Sequence, residues 1–185
     1  MVPNSLAIAM NSATIAPEAA AAPIRPPRLL GLYLLLIIVA AIETFDGLSS
    51  APMLFGDMSK TPGPDIGGAI IKAYIASHPV LAIAALVLAT IGRLRYAIIT
   101  LGALVLMTWL HFMPSVVRHG FDFDGVSAFE TPVRIIAFPL MAACAIALAA
   151  RGERLGIATM LVSIPTLYGV ASVIAFGIGI FLYGF

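Results

Sequence analysis

The sequence predicts an all-α fold, a polytopic bundle of about five transmembrane helices, and three observations lead to it. Of the 185 residues, 61% are hydrophobic and 10% are charged, whereas a soluble domain carries about 25% charged residues. The mean hydropathy is +1.07. Five apolar stretches approach the roughly 20 helical residues that cross the hydrocarbon of a bilayer. So few charges cannot cover a water-facing surface, and a lipid-facing one needs none.

The predicted spans form one domain, residues 29–185, and cover about residues 29–48, 78–95, 96–113, 132–150 and 155–182. The second span has an ambiguous start, since Pro79 to Gly92 is only 14 residues. Either one helix begins near Asp65 and kinks at Pro79, or a short interfacial helix over 66–77 precedes the span. A break is favoured, because proline lacks an N–H and clashes with the carbonyl of Ile75.

The basic residues predict the orientation of the bundle. Three segments that must lie on one side of an alternating five-span bundle hold six of the ten basic residues, namely Arg25, Arg28, Arg93, Arg95, Arg151 and Arg154. Loops rich in Lys and Arg stay in the cytoplasm. We therefore expect a bacterial-type inner-membrane protein with its N-terminus in and its C-terminus out. Residues 1–28, rich in Ala and Pro, are predicted to be a flexible cytoplasmic tail.

A layer of polar side chains is predicted near the external ends of the spans. At 1.5 Å of rise per residue, each span places one such side chain about 21–25 Å from its cytoplasmic arginine. These side chains are Glu43, His78, His111, Arg134 and Tyr168, with Asp46 one turn beyond Glu43. Ionisable groups at membrane depth usually face the bundle interior and pair with one another. We expect Glu43 to pair with Arg134 and the two histidines to share a pocket.

Three interpretations of this layer stay open. The layer could only hold the helices together, with Glu43–Arg134 as the lock. It could line a pocket for a small molecule, a quinone or an ion. It could hold a metal through His78, His111 and Glu43 or Asp46, although no His-x-x-His or Glu-x-x-His pair lies on any one helix.

The function predicted first is that of a non-enzymatic accessory or interaction subunit. The alternatives are a membrane-embedded metal- or quinone-binding oxidoreductase component and an oligomeric channel or transporter. The sequence requires no cofactor, and no nucleotide-binding or redox motif is present. A net charge of +1 argues against nucleic acid as a partner. The expected partners are the lipid bilayer and, through faces of small residues, other membrane subunits or a second copy.

Several local features carry their own predictions. Two stripes of small residues favour close helix packing, within the monomer first, and comprise Ala82, Ala85, Ala89 and Gly92 in one span and Ala171, Ala175 and Gly179 in another. Asp65 and Thr131 are predicted N-caps, with Pro132 opening the fourth span. Trp109 and Tyr74 fit an outer aromatic belt. Cys144, the only cysteine, is predicted to be buried and inert.

Overall fold

A computed structural model describes residues 27–50, 52, 65–121 and 127–184, of which 93% are helical and none is in a strand. We number the helices α1 to α6, and a π-helical segment, Val133–Ala137, joins α4 to α5. Their bounds are α1 Pro27–Ser50, α2 Ile66–Thr90, α3 Leu94–His119, α4 Ser127–Pro132, α5 Phe138–Arg151 and α6 Leu155–Tyr183. Of the predicted tail, residues 1–26 lie outside the described part, and Pro27 and Arg28 already belong to α1.

Five helical stretches are long and apolar enough to cross a membrane, as an integral membrane protein requires. They are Leu30–Ser50, Ile66–Thr90, Leu94–His119, Phe129–Arg151 and Leu155–Leu182. The predicted all-α bundle of five spans is confirmed. The fourth stretch starts earlier than predicted, because α4 begins at Ser127 and places Thr131 and Pro132 inside the helical run. The prediction that Thr131 caps this span is therefore wrong.

The predicted break at Pro79 is also wrong, because α2 runs without interruption from Ile66 to Thr90. Pro79 is buried in the contact between α1 and α2. Packing against α1 stabilises the helix where Pro79 provides no N–H, as neighbouring helices do for prolines in membranes. Residues 66–77 thus belong to the span itself and do not form a separate interfacial helix. The N-cap prediction at its start is confirmed, since the Asp65 carboxylate accepts the Gly68 N–H at 2.8 Å.

Two tight turns define one end of the bundle, which we call the turn end. Gly92 (φ 81°) follows α2, and Gly152 (φ 72°) follows α5. Both lie in the left-handed region, where glycine has no Cβ to clash. The Tyr33 hydroxyl donates to the Gly92 carbonyl at 3.0 Å and ties α1 to the first turn. The opposite end, where α1 ends at Ser50, α2 begins at Ile66, α3 ends at His119 and α4 begins at Ser127, is the loop end.

The helices pack in the cyclic order α1, α2, α3, α5, α6 and back to α1. The buried core fills the half of this ring nearest the turn end, where alanines let the helices approach closely. Its members include Leu36, Ala40, Ala85, Ala89, Ile98, Leu101, Ala145, Ala149 and Val162. Ala82, Ala85 and Ala89 thus pack inside the monomer, as predicted. Ala171 and Ala175 are exposed on α6, and Cys144 is exposed rather than buried on α5.

Candidate ligand-binding cavity

The half of the bundle nearest the loop end encloses a cavity of about 680 Å³. All five spans contribute to its wall. The polar and aromatic side chains among the lining residues are Glu43, Phe45, Asp46, Tyr74, His78, Thr108, Trp109, Phe112, Arg134, Phe138, Thr166, Tyr168 and Ser172. Five of the six side chains predicted for the polar layer therefore border one space. Small-molecule pockets usually measure about 300–1,000 Å³ and combine apolar walls with a few polar groups.

The mouth of the cavity lies between α1 and α6. Phe45 on α1 and Val173 and Ile174 on α6 line the cavity. The same three side chains are 79%, 72% and 56% exposed, respectively. These exposed side chains are apolar, as the lipid-facing side chains of membrane helices are.

A carboxylate–imidazole pair forms one side of the cavity. Glu43 on α1 and His78 on α2 face each other with Oε2 and Nε2 3.2 Å apart, and the His78 side chain is only 4% exposed. The Thr166 hydroxyl of α6 donates to the other Glu43 oxygen at 2.5 Å. A buried carboxylate needs such partners, since an unpaired charge is costly to remove from water. Glu43 thus connects three spans.

Gly47 makes this pairing sterically feasible. A Cβ at Gly47 would lie 2.9 Å from His78 Nδ1 and 3.0 Å from Pro79 Cα. Only glycine therefore lets α1 approach α2 this closely. Sequence reasoning missed Gly47 and Thr166. The signal for Gly47 was its position one turn after Glu43 on the same helix face.

Asp46 completes a cluster with this pair, whereas His111 does not. Ligand atoms of Glu43, Asp46 and His78 all lie within 4.8 Å of one another. His111 stacks on Tyr74, with ring centroids 4.4 Å apart, while the Tyr74 ring lies 5.1 Å from that of His78. Of the expected metal set, the structure thus places His78 and Glu43 together with Asp46, and His111 lies apart from them. His111 lies at the predicted distance along its helix, but its ring packs against the ring of Tyr74.

Arg134 lies on the other side of the cavity, and the predicted Glu43–Arg134 pair is wrong. Its guanidinium pairs with Glu130, one helical turn earlier, at 3.2 Å. The Tyr168 hydroxyl donates to the same Glu130 oxygen at 3.5 Å. The predicted fourth span began at residue 132 and so left Glu130 outside it, but α4 includes Glu130 and brings it next to Arg134. Within the described residues, the buried Nε of Arg134 has no hydrogen-bond partner.

The π-helical segment shapes this second side. Its carbonyl at Ile135 accepts the indole N–H of Trp109 at 2.9 Å. Pro139, four residues after Ile135, has no N–H to offer that carbonyl. Trp109 therefore supplies a donor from α3 and fixes the wall of the cavity, and both Trp109 and Tyr74 line it instead of forming an outer belt. π-helical turns inside membrane and soluble helices are frequent at functional sites.

Chemically, the cavity offers two polar sides separated by aromatic rings. One side presents a carboxylate next to an imidazole. The other presents a guanidinium N–H and a phenol. No protein-family model, curated protein or solved structure matches this chain.

Proposed function

We propose that the protein is an inner-membrane subunit that binds a lipid-soluble small molecule with a carbonyl-bearing head group, of the quinone class. The turn end, with its arginines, lies in the cytoplasm, and the cavity lies near the external face. The chain acts as a non-enzymatic accessory subunit that holds this molecule within the membrane.

The observation that carries the proposal is the Arg134 guanidinium on the wall of a cavity whose mouth is lined by exposed apolar side chains. The Arg134 side chain is 40% exposed although it pairs with Glu130. An accessible N–H of this guanidinium can donate to a carbonyl oxygen of a bound head group. Aromatic rings such as Phe138 and Tyr168, whose centroids are 5.5 Å apart, suit a flat ring. The mouth between α1 and α6 suits an apolar tail.

The single tryptophan provides the assay. Trp109 lines the cavity and is the only tryptophan in the chain. A short-chain benzoquinone added to detergent-purified protein should quench its fluorescence with saturation, because a quinone at contact distance accepts an electron from the excited indole. Quenching that rises linearly without saturation would reject the proposal.

A matched pair of glycines on α6 provides the control. A Cβ at Gly169 or Gly177 meets no atom within 4 Å, and only Gly169 lines the cavity. We expect Gly169→Phe to fill the cavity and weaken saturable quenching at least about tenfold, which corresponds to 1.4 kcal/mol. Gly177→Phe should leave it unchanged. Equal quenching in the two variants would mean that the quinone merely partitions into the detergent.

The exposed small residues of α6 support the accessory role. Ala171 and Ala175 are exposed, and a Cβ on Gly179 meets nothing within 4 Å. Small residues let a second helix approach closely in lipid. Native mass measurement should show a homo-oligomer or a retained membrane partner. Ala175→Leu should dissociate it, whereas dissociation by Ala143→Leu on α5 as well would argue against an α6 interface.

A further inference from the structure

We propose that Glu43, Asp46 and His78 bind a divalent first-row transition metal on the α1–α2 side of the cavity. The site uses one nitrogen and two carboxylate oxygens, and these atoms lie within 4.8 Å of one another. The inference does not depend on the quinone proposal. It concerns a different ligand, held by different side chains.

The distances fit metal coordination. Zinc binds nitrogen and oxygen at about 2.0–2.2 Å, so adjacent ligand atoms lie about 3.0–3.6 Å apart. The Nε2–Oε2 separation of His78 and Glu43 is 3.2 Å. A carboxylate oxygen of the exposed Asp46 lies within 4.8 Å of both of these atoms. The pair therefore has coordination spacing already, and a small rotation of the Asp46 side chain supplies the third ligand.

The surrounding residues hold two of the ligands in place. Glu43 and Asp46 are three residues apart on α1 and so share a helix face. Thr166 donates to Glu43 Oε1 and leaves Oε2 directed at His78, the role that second-shell hydrogen bonds have in metal sites. Gly47 admits the His78 ring beside α1. Packing, hydrogen bonding and helix register all support the same arrangement.

The ligand types select the class of metal. Imidazole suits zinc, cobalt, iron and copper, whereas magnesium and calcium prefer oxygen ligands throughout. Two carboxylates balance the charge of a divalent ion beside the apolar cavity. Three protein ligands leave a coordination position open toward that cavity. Any proton shared by Glu43 and His78 leaves when the metal binds, because both groups must be deprotonated as ligands.

The test is a Co²⁺ titration of full-length protein, purified in detergent and stripped with a chelator. We expect one equivalent to bind with a visible ligand-field spectrum and Zn²⁺ to displace it. His78→Gln and Asp46→Asn should each weaken binding at least about tenfold. Since Asp46 is exposed, Asp46→Asn should keep the melting temperature of the parent protein.

His111→Gln is the matched control, because His111 lies beside Tyr74 and outside the cluster. It should bind Co²⁺ as the parent protein does. Equal loss in His78→Gln and His111→Gln, or no stoichiometric binding by the parent, would overturn the site. Quinone quenching of Trp109 in metal-free protein tests the other proposal separately. Gly169→Phe should lose that quenching and retain Co²⁺.

Discussion

Gly47 of α1 and His78 of α2 are in van der Waals contact, so that a Cβ on Gly47 would lie 2.9 Å from the imidazole Nδ1. The contact holds α1 against the proline-containing part of α2. It also sets the position from which His78 faces Glu43 at 3.2 Å. The absence of a Cβ at Gly47 thus determines both the packing of α1 against α2 and the geometry of the polar cluster.

Gly47→Ala should therefore destabilise the protein by about 1–3 kcal/mol, the usual cost of overpacking a close contact. Thermal unfolding in detergent measures it. Gly31→Ala, on the same helix, is the control, since a Cβ there meets nothing within 4 Å. It should be neutral or gain up to about 1 kcal/mol from the better helix former. Similar melting temperatures for both variants would contradict the close approach of α1 and α2.

Glu43→Gln should lower the melting temperature more than Glu153→Gln does. Glu43 accepts the Thr166 hydroxyl and faces a buried imidazole, whereas Glu153 is exposed in the turn after α5. Weakening this charge-assisted bond should cost about 1–3 kcal/mol. Comparable melting temperatures for the two variants would refute the structural role of Glu43.

A double-mutant cycle distinguishes the partners of Glu43. Glu43→Gln and Thr166→Val should be non-additive, because the two residues share one hydrogen bond. Glu43→Gln and Arg134→Gln should be additive, since Arg134 pairs with Glu130. Strong coupling between Glu43 and Arg134 would restore the pair expected from the sequence.

The position of each polar side chain along its helix could be predicted from the sequence. The direction in which that side chain points around the helix axis could not. Helix rise converts residue number into depth, and it placed Glu43, His78, Arg134 and Tyr168 at a level where they line one cavity. Rotation about the helix axis depends on packing between helices that are distant in sequence. For this reason His111 faces Tyr74, although its height matches that of the others.

The number of spans was predictable because hydropathy depends on composition alone. The break expected at Pro79 depended on local propensity, and interhelical packing outweighed it. The start of the fourth helix was missed by several residues, which hid Glu130 as the neighbour of Arg134. Predictions from local sequence preferences fail at these two places because contacts between helices determine the conformation.

Trp109→Phe should destabilise the protein by about 1–3 kcal/mol, because it leaves the Ile135 carbonyl without the indole N–H. Pro139→Ala supplies a backbone N–H four residues after that carbonyl. The cost of Trp109→Phe should therefore be smaller in the Pro139→Ala background, as chemical denaturation can measure. An unchanged cost would show that Trp109 stabilises the wall by packing alone.

Asp65 should give a pH-dependent contribution to stability. The hydrogen bond from the Gly68 N–H, together with the nearby Arg118 guanidinium, holds the pKa of Asp65 below its ordinary 3.8. A carboxyl with a lowered folded-state pKa stabilises the fold above the unfolded-state pKa, and this contribution is lost as the pH falls through the folded-state value.

Asp65→Ala should thus lower the melting temperature at neutral pH and lower it less in acid, where Asp65 of the parent protein is protonated as well. Arg118→Gln should show the same trend, because the Arg118 guanidinium also lowers the pKa of Asp65. A pH-independent difference between Asp65→Ala and the parent would mean that the carboxylate charge contributes nothing.

The orientation predicted from the arginines can be tested by cysteine labelling. In a Cys144→Ala background, which removes the only cysteine, Glu153→Cys probes the turn end and His119→Cys the loop end. Both positions are exposed. A membrane-impermeant maleimide added to intact spheroplasts should label His119→Cys alone and reach Glu153→Cys only after permeabilisation. The reason is that six of the ten basic residues lie in segments at the turn end, and positively charged loops stay in the cytoplasm. The reverse pattern would place the cavity near the cytoplasmic face instead.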